Sequence, residues 1–391
     1  MENQKKIAYQ FRSHHDVIHE IKSNLLSGFF TDIIPFVGAG SSFPLNLPSW
    51  KNLVKDYFVA VECKLDFDEL RRDFNENWPE IAEEIYKNTG SNIDAYKKFM
   101  NARFHPDSCR FTDIHLTIIE NYKLIITTNY DTAFEDALNK KLKDPGYTQK
   151  TLDDYKYTTL VYPDNLTPIK FHNRCLAYLH GRRDSDSYVF REAEYKLAYG
   201  SGNIIATFMK VVIKEYPIIF LGFSFDDLVF RRTLETIIKE EERSDKEIRE
   251  VHGEREGRKS IPGLYVMLQE DHINEYLSEV EFEHFFEGIN IEKLPFTLDK
   301  ISENEWKFSH QSNIDEIITG LNTLMDTELR KEFHDWMIKN NLTKQRNDYF
   351  RNLNIEIIKY PKHAQVSALL EEIVLRTAEF EQDINKLPDT I

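Results

Sequence analysis

The sequence predicts an α/β protein with a Rossmann-like, mostly parallel sheet, helices on both faces, a helical insertion and a C-terminal helical appendage. Two observations predict it. Short, fully apolar runs recur with helix-like segments between them, the pattern of strands covered on both faces. Four of those runs stop abruptly in glycine or in small and polar residues, as strands do where an open parallel sheet receives a ligand.

Taken in order, residues 14–29 carry helical spacing, with Val17, Ile18, Ile21, Leu25 and Leu26 on one stripe. The run Ile33-Ile34-Pro35-Phe36-Val37 reads as a buried strand, broken by Gly38-Ala39-Gly40-Ser41-Ser42. A helical pattern returns from Ser49 to about Val61, and residues 65–120 are helix-like with no clear strand. The second strand is KLIITT at 123–128, followed by Asn129-Tyr130-Asp131 and a helix from about Thr132. A third, Leu176-Ala177-Tyr178-Leu179, ends at His180-Gly181, and a fourth, PIIFL at 217–221, ends at Gly222-Phe223-Ser224. Residues 263–268 supply a fifth, and Ile289-Asn290-Ile291 before Leu294-Pro295-Phe296 a sixth. The nearly all-charged stretch 239–260 reads as a solvated helix end and loop. Beyond about Asp326 no strand is predicted. The expected division is therefore a domain over 7–325, with its insertion at 65–120, and a helical region over 326–391.

Composition narrows the function classes. A hydrophobic content of 41% in 391 residues is enough for a packed core, which argues against bulk disorder. A net charge of -16 repels phosphate backbones, so no direct nucleic-acid binding is expected. The three cysteines, Cys63, Cys109 and Cys175, are scattered and build neither a disulfide framework nor a four-cysteine zinc site. No HExxH helix is present, so no metal is expected. The polar N-terminus lacks the apolar core of a signal peptide, and no apolar run approaches the roughly 20 residues that span a bilayer. The expectation is a cytoplasmic protein without membrane contact.

The strand endings carry the candidate chemistry. Gly38, Ala39, Gly40 and Ser41 let backbone N–H groups approach a phosphate without Cβ interference, or simply make a tight strand-to-helix turn. The loop lacks the third glycine of GxGxxG and fails as an ordinary dinucleotide fingerprint. In Thr128-Asn129-Tyr130-Asp131, the acid has a structural explanation, since negative charge favours the helix that starts at Thr132. Asn129 does not. An amide there can hold a water or a ribose hydroxyl by donating and accepting at once. His180, with an unperturbed pKa near ~6.5, is the natural general base at neutral pH. The other twelve histidines sit in no comparable context.

In order, these motifs resemble the sirtuin catalytic domain, whose matching segments read GAGxS, QNxD, HG and GTS. The likeness is nearer to the sirtuin-like domains of bacterial antiphage NADases: Leu47-Pro48-Ser49-Trp50 follows the glycine loop, Tyr188-Val189-Phe190 follows His180, and Gly288-Ile289-Asn290-Ile291 comes late. The resemblance spans roughly residues 7–325. It implies that Gly38, Ala39, Gly40 and Ser41 cradle the phosphates of NAD, with Gly222 and Ser224 beside the phosphates or the adenosine ribose. Thr128 stands where the family has Gln. Asn129 would hold the nicotinamide ribose or the attacking water, Asp131 would meet the nicotinamide amide, and His180 would act as base. The four-cysteine zinc module of deacetylating sirtuins is missing, and Phe43-Pro44-Leu45-Asn46-Leu47-Pro48 replaces their arginine-bearing segment.

The function expected from the resemblance is an NAD+ glycohydrolase that yields nicotinamide and ADP-ribose and acts in antiphage defence by depleting NAD. A sensor that binds NAD or ADP-ribose without turnover is the alternative, and a protein deacylase is disfavoured by the missing zinc module. An unregulated NADase would kill its own cell, so control by a partner or by assembly follows. The resemblance suggests a HerA-type DNA-translocating ATPase, or alternatively a short Argonaute. A homo-oligomer is expected as well, from the apolar residues Trp78, Ile81, Ile85 and Tyr86 and Phe333, Trp336 and Ile338 in segments that a minimal NAD sheet does not need.

Overall fold

The computed structural model describes residues 17–21, 23, 32–104, 110–143, 156–185, 187–223, 225, 227–252, 261–269, 276–289, 291–302, 305–309, 314–322, 324–360 and 365–373. The described strands are β1 (Ile34–Val37), β2 (Leu124–Thr127), β3 (Thr158–Val161), β4 (Cys175–Tyr178), β5 (Ile218–Leu221), β6 (Leu264–Gln269), β7 (Tyr276–Ser278), β8 (Thr297–Ser302), β9 (Glu305–Ser309) and β10 (Glu356–Tyr360). Seven of them form one sheet in the order β10-β6-β5-β1-β2-β4-β3. Each pair with a defined register, β1 with β2 and β5, β4 with β2 and β3, and β5 with β6, runs parallel. The Rossmann-like sheet expected from the sequence is the sheet observed.

Every residue of β1, β2, β4 and β5 is buried. Successive side chains of a strand point to opposite faces, so both faces of this sheet are covered. One face holds Val37, Ile125, Leu176, Tyr178, Ile219 and Leu221 in a common core. On the other, Phe36 and Phe220 meet Phe230 at the start of a long helix, with ring centroids 5.4 and 6.1 Å away.

The helices around the sheet are α1 (Trp50–Ala60), α2 (Phe67–Asp73), α3 (Trp78–Asn88), α4 (Ile93–Arg103), α5 (Asp113–Asn121), α6 (Ala133–Leu142), α7 (Glu192–Tyr199), α8 (Ile204–Glu215) and α9 (Leu228–His252). Two of them start on side-chain caps: Asp66 accepts the Glu69 N–H at 2.8 Å, and Asn92 the Ala95 N–H at 3.0 Å. The charged stretch from 239 onward continues α9 as an exposed helix, with the i,i+4 pair Arg243–Glu247 at 3.6 Å; residues 253–260 lie outside those described.

The insertion is helical as expected, and its core explains its place. Tyr57, Ile81, Ile85, Tyr96 and Met100 cluster with Tyr130, Tyr188 and Phe190, residues that flank the second and third strand endings. The insertion thus fixes the backbone on either side of Asn129 and His180. Trp78, Ile81 and Ile85 are interior to this cluster and Tyr86 packs against it. They are therefore not free to build subunit contacts, and the homo-oligomer expectation loses this support.

Three sequence readings need correction. The expected sixth strand at 289–291 is not seen in its described residues: Ile289 lies in a bend, Ile291–Lys293 form a 3-10 turn, residue 290 lies outside those described, and the strand comes later, as β8. The expectation of helices alone after Asp326 fails at β10, which joins the main sheet. The division at 325/326 also differs from the observed units, since residues 269–354 form a compact unit of their own while residues up to 268 and from 355 onward form the other. The smaller unit contains the antiparallel strands β7-β9-β8 and the helices α10 (Glu279–Phe286), α11 (Ile314–Gly320) and α12 (Thr327–Asn352). Its core includes Phe285, Phe286, Phe296 and Phe333, with Trp336 stacked on Phe333 at 5.5 Å. Phe333 and Trp336 are thereby accounted for inside the chain. The side chain of Ile338 lies outside the described residues.

Candidate functional site

The register places four strand ends in one row: Val37 pairs with Thr127 and with Leu221, and Thr127 pairs with Tyr178. The sequence endings Gly38, Thr128, Leu179 and Gly222 therefore leave the sheet side by side, at the carboxyl ends where open parallel sheets bind ligands. Backbone bonds tie them together. The Gly38 N–H donates to Leu221 O at 2.8 Å, Gly40 N–H to Gly222 O at 2.9 Å, Thr128 N–H to Val37 O at 3.2 Å and Leu179 N–H to Thr127 O at 2.9 Å. The predicted site residues Gly38, Ala39, Gly40, Ser41, Thr128, Asn129, Asp131, His180 and Gly222 all lie along this row. Ser224 lies outside the described residues.

The glycine loop turns directly into a 3-10 helix, Ala39–Leu45. A Cβ on Gly38 would stand 2.7 Å from both the Gly222 oxygen and a Phe223 ring carbon, so the two loops close on each other only without side chains. Ala39 is exposed and Gly40 half-buried. Ser41 is buried, and its hydroxyl bends back to donate to Gly38 O at 2.8 Å.

Asn129 is 7% exposed and firmly held. Its backbone N–H donates to the Thr127 hydroxyl oxygen at 3.0 Å, and that hydroxyl donates to Val37 O at 2.9 Å. Its Nδ2 donates to Gly38 O at 3.2 Å and to Ser42 Oγ at 3.1 Å, with Ser41 Oγ at 3.4 Å. A carbonyl can only accept, so the Gly38 oxygen fixes which amide atom faces it. Oδ1 is then left buried without a partner. A buried acceptor in that state costs ~1–3 kcal/mol, and a ligand or water hydroxyl would relieve it.

Asp131 is buried. Its Oδ1 accepts the Ala133 N–H at 3.0 Å at the start of α6. Burial pushes its carboxyl up, opposed by the Ala133 N–H and by a hydrogen bond from Ser42. The helix-start role anticipated for this acid is the one its geometry displays. A cavity of about 310 Å3 opens beside it, lined by Asn46, Arg103, Phe104, Asp131, Thr132 and Asp136 among others. Neither Asn129 nor His180 lines that cavity.

His180 is 5% exposed and surrounded by tyrosines: Tyr130, Tyr195 and Tyr199 have ring centroids at 6.3, 5.5 and 5.7 Å. Its Nε2 bonds the Tyr199 hydroxyl at 2.6 Å. Tyr195 stacks on Tyr199 and donates to the half-buried Asp227 carboxylate at 2.6 Å, which in turn accepts the Val229 and Phe230 N–H groups that begin α9. Burial pushes the His180 imidazole down to about 3. Titration near neutrality, expected for an unperturbed ring, is therefore not a property of this site. The imidazole is neutral, and a weaker base than the sequence suggested.

Sequence reasoning missed the residues behind Asn129. Ser42 is 1% exposed and touches Asn129, Asp131 and His115. His115, on α5, is fully buried and sits 3.4 Å from Ser42 Oγ. Ser42 was visible in the loop, but nothing in the spacing of His115, 73 positions away, signalled a place beside it.

A doubly covered parallel sheet with a glycine turn, a buried amide and a buried histidine at one row of strand ends defines a Rossmann-like α/β class. Residues 123–292 match the family model of a SIR2-like domain. That stretch takes in Asn129, Asp131, His180 and Gly222 and begins after the glycine loop. A comparison with curated proteins finds no match. No helix among the described residues is long and apolar enough to cross a membrane, and none of their His, Cys, Asp and Glu side chains gather in a group suited to a metal.

Proposed function

We propose that this chain binds NAD+ at the row of strand ends and hydrolyses the bond between nicotinamide and ribose. The observation that carries this reading is Asn129: a buried amide locked by Gly38 and Ser42, with a free Oδ1 beside the glycine turn. The match to a SIR2-like domain supports an NAD-dependent activity in general.

The reaction suits the groups present. Nicotinamide is a cationic leaving group and departs with the electrons of the C1′–N bond, which leaves positive charge on the ribose. Water adds at C1′ and releases a proton, so the balance is NAD+ plus water to nicotinamide, ADP-ribose and H+. A carbonyl dipole from Asn129 Oδ1 faces such charge favourably and can orient the water. A neutral His180 adds no like charge beside a cationic transition state, which a protonated ring would do. The ring stays neutral while the ribose charge develops; afterwards, with the bound phosphates easing its protonation, it would take the proton that the added water releases.

The test is direct. Purified protein incubated with NAD+ should release nicotinamide and ADP-ribose in equal amounts, at a rate unchanged after dialysis against a chelator. NAD+ bound but not consumed would favour the sensor reading, and nicotinamide released only with an acylated peptide would favour a deacylase.

The same reading places this activity in antiphage defence under the control of a partner, with a HerA-type ATPase as the first candidate and a short Argonaute as the second. A tagged chain purified from its native cell should bring down one such protein in a complex heavier than the monomer. Light scattering that shows a fully active monomer, with nothing co-purifying, would overturn it.

A further inference from the structure

We propose that His115 is a positioning residue that holds the Asn129 amide in its working orientation through Ser42. The inference rests on the NAD hydrolase reading for its kinetic consequence, but its geometry stands apart from it.

The tautomer of His115 follows from its neighbours. The Thr112 backbone N–H, 3.2 Å from Nδ1, can only donate, so Nδ1 is bare and accepts. The Thr112 hydroxyl, 2.7 Å from the same nitrogen, reinforces this. The proton of a neutral ring then sits on Nε2, which faces Ser42 Oγ at 3.4 Å and donates to it. Burial keeps the ring neutral, at about 4. Phe134 closes the ring edge-on at 4.8 Å.

Ser42 has one hydrogen to give and two lone pairs to fill. His115 Nε2 at 3.4 Å and Asn129 Nδ2 at 3.1 Å fill the lone pairs. The hydroxyl hydrogen is then left for the Asp131 carboxylate, whose charged form Ser42 favours. If His115 ceased to donate, Ser42 could turn its own hydrogen away from Asp131, and the Asn129 amide could invert or swing. The network thus runs from a half-buried helix start at Thr112, through the buried His115 and Ser42, to the orphaned Oδ1 of Asn129. A histidine with no ligand of its own is thereby tied to the atom that meets the substrate.

Two substitutions separate positioning from bulk structure. Glutamine places an amide nitrogen the same number of bonds from Cβ as Nε2, so His115→Gln keeps the donor to Ser42. Asparagine places an oxygen at the position of Nδ1, so His115→Asn keeps the Thr112 contact and loses the donor. For the wild-type reaction, His115→Asn should lower kcat by about 10- to 100-fold with KM changed less than about 3-fold, the range seen when a supporting hydrogen bond to a working group is lost. His115→Gln should stay within about 3-fold of wild type on both. Crystal structures give a readout independent of turnover: Asn129 Nδ2 should keep its Ser42 contact in His115→Gln and lose it, or show two amide orientations, in His115→Asn. Equal kcat in the two variants, or an undisturbed Asn129 in His115→Asn, would overturn the proposal. A wild-type protein that cleaves no NAD+ would sink the hydrolase reading alone, and the crystal structures would still decide the positioning.

Discussion

Asn129→Ala and His180→Ala should each remove nearly all NAD+ cleavage while leaving the protein folded. For Asn129 the loss expected is about 10²- to 10³-fold in kcat, the size seen when one preorganised dipole is taken from the charge that develops in a transition state. Alanine gives up the bonds to Gly38 O and Ser42 Oγ but also removes an acceptor that was unpaired in the free protein. Those changes offset one another in the folded state, so the melting temperature should move by only a few degrees. For His180 the loss expected is about 10²- to 10⁴-fold, the usual range for a group that manages a proton. The two values test different roles, and their pH dependence separates them. Because burial holds the His180 ring down at about 3, wild-type kcat/KM in the free enzyme should not fall as pH drops from 8 to 5.5 on account of this group. A fall centred near ~6.5, the value of an unperturbed histidine, would show instead that the ring titrates as an exposed one does. Steady-state kinetics across that pH range, with circular dichroism as a check on folding, would measure all of this. Wild-type turnover in both variants would remove the site from this row of strand ends.

What the sequence disclosed depended on how completely each segment is buried. β1, β2, β4 and β5 are apolar throughout because both of their faces are covered, so they read as unbroken runs and their abrupt endings as sites. β3 sits at a sheet edge with a single buried residue, Leu160, and its TTLV leaves no such signal. β10, at the opposite edge, was lost in the same way among helical residues. The strands of the smaller unit are hidden for another reason: EWKFS alternates apolar with polar residues, the mark of antiparallel pairing, and TLDKIS has only Leu298 and Ile301 as apolar residues, with an irregular register between Lys300 and Ser302, so neither is a continuous apolar run. Site residues followed the same logic. Asn129, His180 and the glycine loop were found because they follow a strand. His115 was not, because it reaches Ser42 from within a helix, where a buried histidine looks like any other interior residue. Its partner Thr112 did leave a trace, a threonine three positions before a side chain that bonds back to it, but with histidine in the place where a capping box usually has Glu or Gln.

Gly222→Ala is expected to be strongly disruptive for a change of a single methyl group at the row of strand ends. Its φ of +64° lies in the left-handed region, where a residue with Cβ pays roughly 1–2 kcal/mol. The added carbon would also stand 2.5 Å from the Ser41 backbone nitrogen, 3.0 Å from the Gly40 carbonyl carbon and 3.1 Å from the Gly38 oxygen. All three are main-chain atoms that no rotamer change can move aside. Forcing such a contact adds about 1–3 kcal/mol when the surroundings can shift, and more when they cannot. The sum, about 2–5 kcal/mol, is a large part of the roughly 5–15 kcal/mol that holds a domain folded. Gly202→Ala supplies the comparison. Its φ of +77° carries the same left-handed cost, but a Cβ there meets nothing within 4 Å. Chemical denaturation should therefore show a shift of about 1–2 kcal/mol for Gly202→Ala, the conformational part alone, and at least twice that for Gly222→Ala. The relief available to Gly222→Ala is to push the β1 and β5 endings apart, which would break the Gly40 N–H bond to the residue 222 oxygen and pull Ser41, Ser42 and Gly38 away from Asn129. Any folded Gly222→Ala protein should then bind NAD+ poorly, whereas Gly202→Ala should bind it as the wild type does. Equal stability losses in the two variants would show that the strand ends are not packed as closely as these distances require.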